Sequence, residues 1–189
     1  ARGNRKGNPV LLDTLKILFL FLPLLGYALQ ADEADAFAWE SGSQLRWEDF
    51  RGVPPEDKTV AATTASGISY SFKTKGMPGE YTLDYEVVSY FYPEKSWYHP
   101  ELSNAGVLMH EQLHFNITEL YARKMRKILS DRTFSGNVRG EVRQIFSKIN
   151  RELKAFQDRY GLETDFSRNL EAQQRWNKRI AEKLKESDL

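Results

Sequence analysis

The chain has 189 residues, of which 41% are hydrophobic and 28% are charged, a composition typical of one globular domain with an apolar core. It contains no cysteine, which excludes a disulfide scaffold, a thiolate metal site and a cysteine nucleophile. The formal net charge of +1 does not indicate the strongly basic surface of nucleic-acid-binding proteins, so we expect no nucleic-acid partner.

Residues 1–31 have the pattern of a secretory signal peptide. Three basic residues within the first six positions precede the apolar run ILFLFLPLL at 17–25, and Ala28 and Ala31 provide small residues for cleavage. The run is shorter than the ~20 residues of a membrane-spanning helix, so we expect cleavage, a secreted or periplasmic protein and no stable membrane span. Retention as an uncleaved anchor is the alternative. Cleavage leaves 23 basic and 25 acidic residues, a net charge of −2.

Residues 32–44 are polar and acidic, and we interpret them as a linker to a single domain at 45–189. Alternation of apolar and polar residues predicts strands at about 45–47, 68–72 and 81–87, separated by turn signals such as PPEDK. The first half of the domain is therefore predicted to be a small antiparallel sheet of about three to four strands. We expect its aromatic residues to pack within the sheet rather than bind a ligand.

From Glu101 onward the apolar spacing becomes helical and predicts helices at about 103–130, 141–160 and 168–184. Ser103 or Asn104 is suited to cap the first helix, and Gly161 to end the second. Strands followed by helices indicate an α+β fold in which the first long helix packs against the sheet.

The first predicted helix contains LMHEQLHFNITELY, in which His110, Glu111 and His114 form the pattern H-E-x-x-H. At 100° per residue, the two histidines lie about one turn apart on one stripe, with the glutamate on its flank. Two such imidazoles can bind one Zn²⁺, and the glutamate is placed to take a proton from water. The pattern predicts a zinc metallopeptidase with His110 and His114 as metal ligands and Glu111 as general base. The alternative is two core histidines with an accidental glutamate between them.

A catalytic zinc needs a third protein ligand, and the sequence leaves its identity open. The acidic candidates are Asp165, Glu119, Glu141 and Glu152. Glu119 lies about 180° from His110 around the helix, so we expect it to form an ion pair with Arg123 rather than to bind the metal. The two glutamates of the second helix reach the motif only if that helix folds back antiparallel, whereas the aspartate lies in a loop. We interpret the remaining histidine, His99, as a surface or rim residue.

Five segments together resemble one protein family: LRWEDFRGVPP, AATTASGISYSF, SW, LMHEQLHFNITELYARKMRKIL and YGLETDFSRNLEAQQRW, spanning 45–176. The family comprises bacterial secreted, zincin-like proteins with domain of unknown function 922, described as predicted zinc-dependent peptidases. The resemblance implies that His110 and His114 bind zinc, that Glu111 is the catalytic base, and that the protein belongs to the Gram-negative envelope or is exported. It departs at Phe166, where the family's late motif has a histidine suited to be the third ligand.

These residues favour an exported zinc metallopeptidase that acts on a peptide or protein substrate in the cell envelope. A second hypothesis is a non-catalytic binding or structural envelope protein on a degenerate zincin scaffold, which Phe166 and the missing third ligand favour. A third is a zinc hydrolase of a cell-wall or other non-protein amide, since the same water activation serves either carbonyl.

Overall fold

The structure is a computed structural model that describes residues 35–186, so the predicted signal peptide at 1–31 lies outside the described residues. The described strands are β1 (Phe37–Ala38), β2 (Ala62–Thr63), β3 (Ser66–Lys75), β4 (Thr82–Phe91) and β5 (Trp97–Tyr98). The long helices that follow are α1 (Ala105–Ser130), α2 (Val138–Glu163) and α3 (Leu170–Glu186). The predicted α+β class, with a small antiparallel sheet followed by helices, is confirmed. No helix within 35–186 combines the length and the apolar character needed to cross a membrane.

The main sheet has the strand order β1–β4–β3. β3 and β4 form an antiparallel hairpin that runs from the pair Ser66 and Phe91 to the pair Lys75 and Thr82. β1 pairs antiparallel with the other edge of β4. A separate two-stranded antiparallel sheet joins β2 to β5. The strands predicted at 68–72 and 81–87 are therefore present in β3 and β4, although Tyr81 itself forms an isolated bridge with Phe134.

The strand predicted at 45–47 is wrong. Trp47–Asp49 form a single turn of 3₁₀ helix, which begins where the Asp49 carboxylate accepts a hydrogen bond from the Arg46 N–H at 2.7 Å. A short acidic side chain that bonds the nearby backbone competes with strand pairing. The apolar residues still pack inward, because Leu45 is buried and Trp47 stacks on Tyr98 with ring centroids 4.5 Å apart.

Residues 35–44, assigned to the linker by their polarity, are part of the folded unit. Phe37–Ala38 form β1, and the Trp39 indole N–H donates to the Asn116 side-chain oxygen at 2.8 Å. Phe37 also lies 5.1 Å from the ring of buried Phe91. Phe37 and Trp39 therefore attach this segment to the domain, although its acidic residues had indicated a solvent-exposed linker.

α1 lies across the inner face of the main sheet, as predicted. Alternation along β4 buries Val87, Ser89 and Phe91 on that face, whereas Asp84 and Glu86 are exposed on the other. One apolar core joins the sheet to all three helices, and its buried members include Ile68, Val87, Leu113, Ile117, Met125, Ile149, Tyr160, Trp176 and Ile180. The sheet and the helices thus hold α1, which carries the motif, on two sides.

The helix ends determine what surrounds the motif. Asn104 caps α1, since its side-chain oxygen accepts the N–H groups of Gly106 and Val107 at 2.8 and 3.1 Å. The prediction that α2 ends at Gly161 is wrong, because the helix continues to Glu163. A tight turn follows, in which Asp165, Phe166 and Ser167 all adopt the left-handed backbone region, at φ of 46°, 50° and 76°. Non-glycine residues rarely adopt this region, so the turn is strained.

Candidate functional site

A cleft of about 890 Å³ lies beside the first half of α1. His110, Glu111 and His114 all line it. The segment 58–64, which includes β2, also lines the cleft, as do residues 166–168 and Leu170. The fold therefore brings the three motif residues to one concave surface, although they are flanked in sequence by core residues.

The two motif histidines point towards each other. Their Nε2 atoms are 3.3 Å apart, and their ring planes are inclined by 81°. His110 is buried and His114 partly buried, so α1 presents both imidazoles in a largely desolvated position at the cleft. Sequence spacing predicted the shared stripe, and the structure supplies the convergence of the two nitrogens.

α2 and α3 hold the other side of each imidazole. His110 Nδ1 lies 2.9 Å from the Gln173 side-chain oxygen, and His114 Nδ1 is hydrogen-bonded to the side-chain oxygen of Gln157. The Tyr160 ring stacks on His110 with centroids 4.5 Å apart and meets the edge of His114 at 4.8 Å. Sequence reasoning missed these three residues. The sequence offered one indication, because Gln173 is a polar residue on the apolar stripe of α3, between Ala172 and Trp176, and all three are buried.

Glu111 lies in a buried environment suited to a proton acceptor. Burial raises the pKa of its carboxyl group, against the opposing effects of His110 and of hydrogen bonds from the side chain and backbone of Thr64. The Thr64 hydroxyl also lies 3.2 Å from the Glu111 carbonyl oxygen. A carboxylate whose pKa lies above its usual range accepts a proton more readily near neutral pH.

Burial of both motif histidines favours their neutral form. Burial lowers the pKa of His114 to about 4, against the opposing hydrogen bond to Gln157. Burial is also the largest cause that lowers the pKa of His110, followed by the neighbouring His114. A neutral imidazole retains a nitrogen lone pair, which is the form that binds metal ions.

Each of the four acidic candidates for a third ligand forms an ion pair. Glu119 is buried on the far side of α1, 2.8 Å from the side chains of both Arg123 and Arg126, so its predicted ion pair with Arg123 is confirmed. The other three form pairs at or near the surface: Glu141 with Arg132, Glu152 with Lys124, and Asp165 with Arg168. Within residues 35–186, no group of three or more His, Asp or Glu side chains is arranged to hold a metal ion.

His99 is buried, so its assignment to the surface or rim is wrong. Only 5% of its surface is exposed, because the pairing of β5 with β2 draws this segment inward and its N–H donates to the Ala61 carbonyl oxygen at 2.8 Å. Its ring meets the edge of Trp97 at 5.6 Å. Among the described residues, its Nε2 atom has no hydrogen-bond partner. His99 does not join the two motif histidines.

Phe166 lies on the cleft, in the strained turn between α2 and α3. Its residue surface is 55% exposed, and its ring lies against Gly161. The position at which the resemblance implies a histidine is therefore on the same cleft as His110 and His114. A phenyl ring has no lone pair for a metal ion.

Comparison of this chain with models of known protein families, with curated proteins and with solved structures finds no match. The resemblance to secreted zinc peptidases therefore stays a prediction. The functional assignment depends on the residues of the cleft.

Proposed function

We propose that this protein is an exported zinc-dependent metallopeptidase in which His110 and His114 bind Zn²⁺ and Glu111 is the general base. The observation that carries the proposal is the 3.3 Å separation of the two Nε2 atoms beside a cleft. Two nitrogens bound at about 2.0–2.1 Å to one tetrahedral zinc are separated by about 3.3–3.4 Å. The histidine pair therefore has the spacing of two corners of such a site, and imidazole nitrogen is a preferred zinc donor.

The residues of the cleft would have different roles in peptide hydrolysis. When bound at the pair, Zn²⁺ would lower the pKa of a water molecule and polarise a substrate carbonyl group. Glu111 would accept the proton of the attacking water and pass it to the leaving amine. Thr64 would hold Glu111 in place through its hydrogen bonds to that residue.

The cleft suits a peptide substrate. Its volume of about 890 Å³ lies within the range of roughly 300–1,000 Å³ usual for binding pockets. Apolar side chains line it: Val60, Leu102, Val107, Phe166 and Leu170. We propose that the short strand β2 aligns a peptide beside α1 through main-chain hydrogen bonds, with apolar substrate side chains against this lining.

A second candidate function is a non-catalytic envelope protein that binds a peptide or protein in the same cleft. It is favoured by the four acidic candidates, each of which forms an ion pair, and by Phe166 on the cleft. Catalytic zinc sites usually have three protein ligands. On a scaffold with two, zinc binds weakly and replacement of Glu111 leaves the function unchanged.

The deciding experiment measures bound zinc by elemental mass spectrometry and cleavage of a broad peptide library for the wild type and for Glu111→Gln. We expect about one zinc per chain in both proteins and cleavage only by the wild type. Glu48→Gln, which changes an exposed glutamate outside the cleft, is the matched control and should cleave like the wild type. Bound zinc without cleavage by the wild type would refute peptidase activity, and absence of zinc would favour the binding protein.

A further inference from the structure

The amide side chains of Gln157 and Gln173 each contact one motif histidine on the nitrogen that faces away from the other histidine. The Gln173 side-chain oxygen lies 2.9 Å from His110 Nδ1, and the Gln157 side-chain oxygen is hydrogen-bonded to His114 Nδ1. An amide oxygen only accepts hydrogen bonds. Each contact therefore requires a proton on Nδ1, which leaves Nε2 of each neutral ring unprotonated.

The orientation of the Gln157 amide follows from its other partner. Gln157 Nε2 lies 3.1 Å from Thr118 Oγ1, and the Thr118 hydroxyl donates to the His114 carbonyl oxygen, also at 3.1 Å. The Ser66 hydroxyl also lies 2.7 Å from Thr118 Oγ1, and with the Thr118 proton on the carbonyl or on Ser66 the Thr118 oxygen accepts the bond from the Gln157 NH₂ group. The amide oxygen of Gln157 is thereby left to face His114.

Gln173 is oriented by a similar set of contacts. Its NH₂ group donates to the Asn177 side-chain oxygen at 2.8 Å, whereas the Tyr160 hydroxyl contacts both amide atoms, at 2.7 Å from the nitrogen and 2.9 Å from the oxygen. The Thr164 hydroxyl donates to the Tyr160 carbonyl oxygen at 2.7 Å, so its lone pairs face His110 Nδ1 at 3.5 Å. His110 Nδ1 is thus surrounded by acceptors, whereas its ring face is covered by Tyr160.

We infer that Gln157 and Gln173 are positioning residues that hold both motif histidines as Nδ1–H tautomers, so that two Nε2 lone pairs converge across 3.3 Å. Two unprotonated nitrogens at this distance repel each other unless a cation lies between them. Partners of this kind on the second ring nitrogen orient metal-binding histidines and raise their basicity. The identity of the cation as Zn²⁺ rests on the proposed function, whereas the tautomers do not.

The tautomers are measurable without any metal. Long-range ¹H–¹⁵N correlation spectra of the ¹⁵N-labelled, chelator-treated protein at pH 8 report which nitrogen of each imidazole carries the proton. We expect Nδ1–H for both His110 and His114. In Gln157→Met, His114 should lose this preference and His110 should keep it, whereas Gln173→Met should give the reverse. Gln157→Glu retains an acceptor oxygen and should restore the wild-type tautomer of His114.

Gln174→Met is the matched control, because Gln174 is the exposed neighbour of Gln173 and should leave both tautomers unchanged. Zinc affinity, measured by competition with a chromophoric chelator, should fall by about 10–100-fold in each Met variant at position 157 or 173. A wild-type proton on Nε2 of either histidine, or unchanged tautomers in both Met variants, would overturn the inference. Correct tautomers in a protein that binds no zinc would refute the proposed function and leave the positioning role intact.

Discussion

His110 Nδ1 lies 2.9 Å from the side-chain oxygen of Gln173, although 63 residues separate them in the chain. The contact joins α1 to α3, so the candidate metal centre depends on the docking of the last helix. α3 docks through a stripe of buried residues: Ala172, Gln173, Trp176, Ile180 and Leu184. We therefore expect that loss of packing along this stripe would also weaken the contact between Gln173 and His110.

The first prediction concerns Trp176, which is buried and whose indole N–H donates to Glu163 at 2.8 Å. Trp176→Ala should lower the free energy of unfolding by about 3–5 kcal/mol, because a large aromatic side chain leaves a cavity. It should also weaken zinc binding, since Gln173 on the same helix loses its position. Chemical denaturation and chelator competition measure the two effects. Arg175→Ala, at the exposed neighbouring position, is the control, and wild-type zinc affinity in Trp176→Ala would show that His110 does not need α3.

The second prediction concerns the pH dependence of stability in the metal-free protein. His114 takes up a proton at a pKa of about 4 when folded, against its usual value of 6.5. Between these values the unfolded chain binds more protons, so the free energy of unfolding should fall as pH decreases from about 6.5 to 4. One histidine contributes a slope of at most about 1.4 kcal/mol per pH unit.

Glu111 opposes this slope, because burial raises the pKa of its carboxyl group. The pKa of His110 is lowered by burial and by His114, so the difference between the wild type and His114→Ala reports His114 together with its effect on His110. Denaturant unfolding at a series of pH values, with chelator present, should show a flatter profile for the variant at the acidic end. Parallel profiles for the two proteins would mean that His114 is not held neutral by burial.

The third prediction concerns Glu119, whose side chain binds Arg123, Arg126 and the Ser89 hydroxyl. Glu119→Gln should lower the free energy of unfolding by about 3–5 kcal/mol, since removal of one buried charge leaves the partner arginines uncompensated. Zinc affinity of the folded variant should stay at the wild-type value, because Glu119 faces away from the histidines. Glu152→Gln, which removes a more exposed pair with Lys124, should cost less than about 1 kcal/mol. A large loss of zinc affinity in folded Glu119→Gln would return Glu119 to the candidate ligands.

The fourth prediction concerns Phe166, which lines the cleft together with the histidine pair. Phe166→His should raise zinc affinity by about tenfold or more, because it offers a third imidazole to a site with two. Phe166→Leu, which changes the ring without adding a donor, should leave zinc affinity unchanged. Equal affinities in the two variants would show that the turn after α2 does not bring position 166 within reach of the metal.

Local patterns in the sequence predicted much of the framework. Helical periodicity located all three long helices to within a few residues, and the spacing of His110 and His114 placed both on one stripe of α1. These predictions succeeded because residues three or four apart in a helix share a face whatever else the chain does. The alternating residues of β3 and β4 succeeded for the same reason, since a strand alternates between two faces.

Predictions that depended on burial or on competing local bonds failed. The alternation around Trp47 indicated a strand, but the Asp49 carboxylate bonds the backbone and closes a turn. His99 was expected at the surface, but its segment is drawn inward by the pairing of β5 with β2. A single sequence does not show which other segment will cover a residue, and that covering decides its exposure.

The sequence by itself determined which side chains carry the proposed chemistry: two imidazoles one helical turn apart with a carboxylate between them. Tertiary structure decided what surrounds them, namely the Gln157 and Gln173 contacts and the buried environment of Glu111. The physical reason is the separation along the chain over which each effect acts. Helix geometry acts over four residues, whereas hydrogen bonds to the histidines and desolvation of the glutamate come from segments more than 40 residues away.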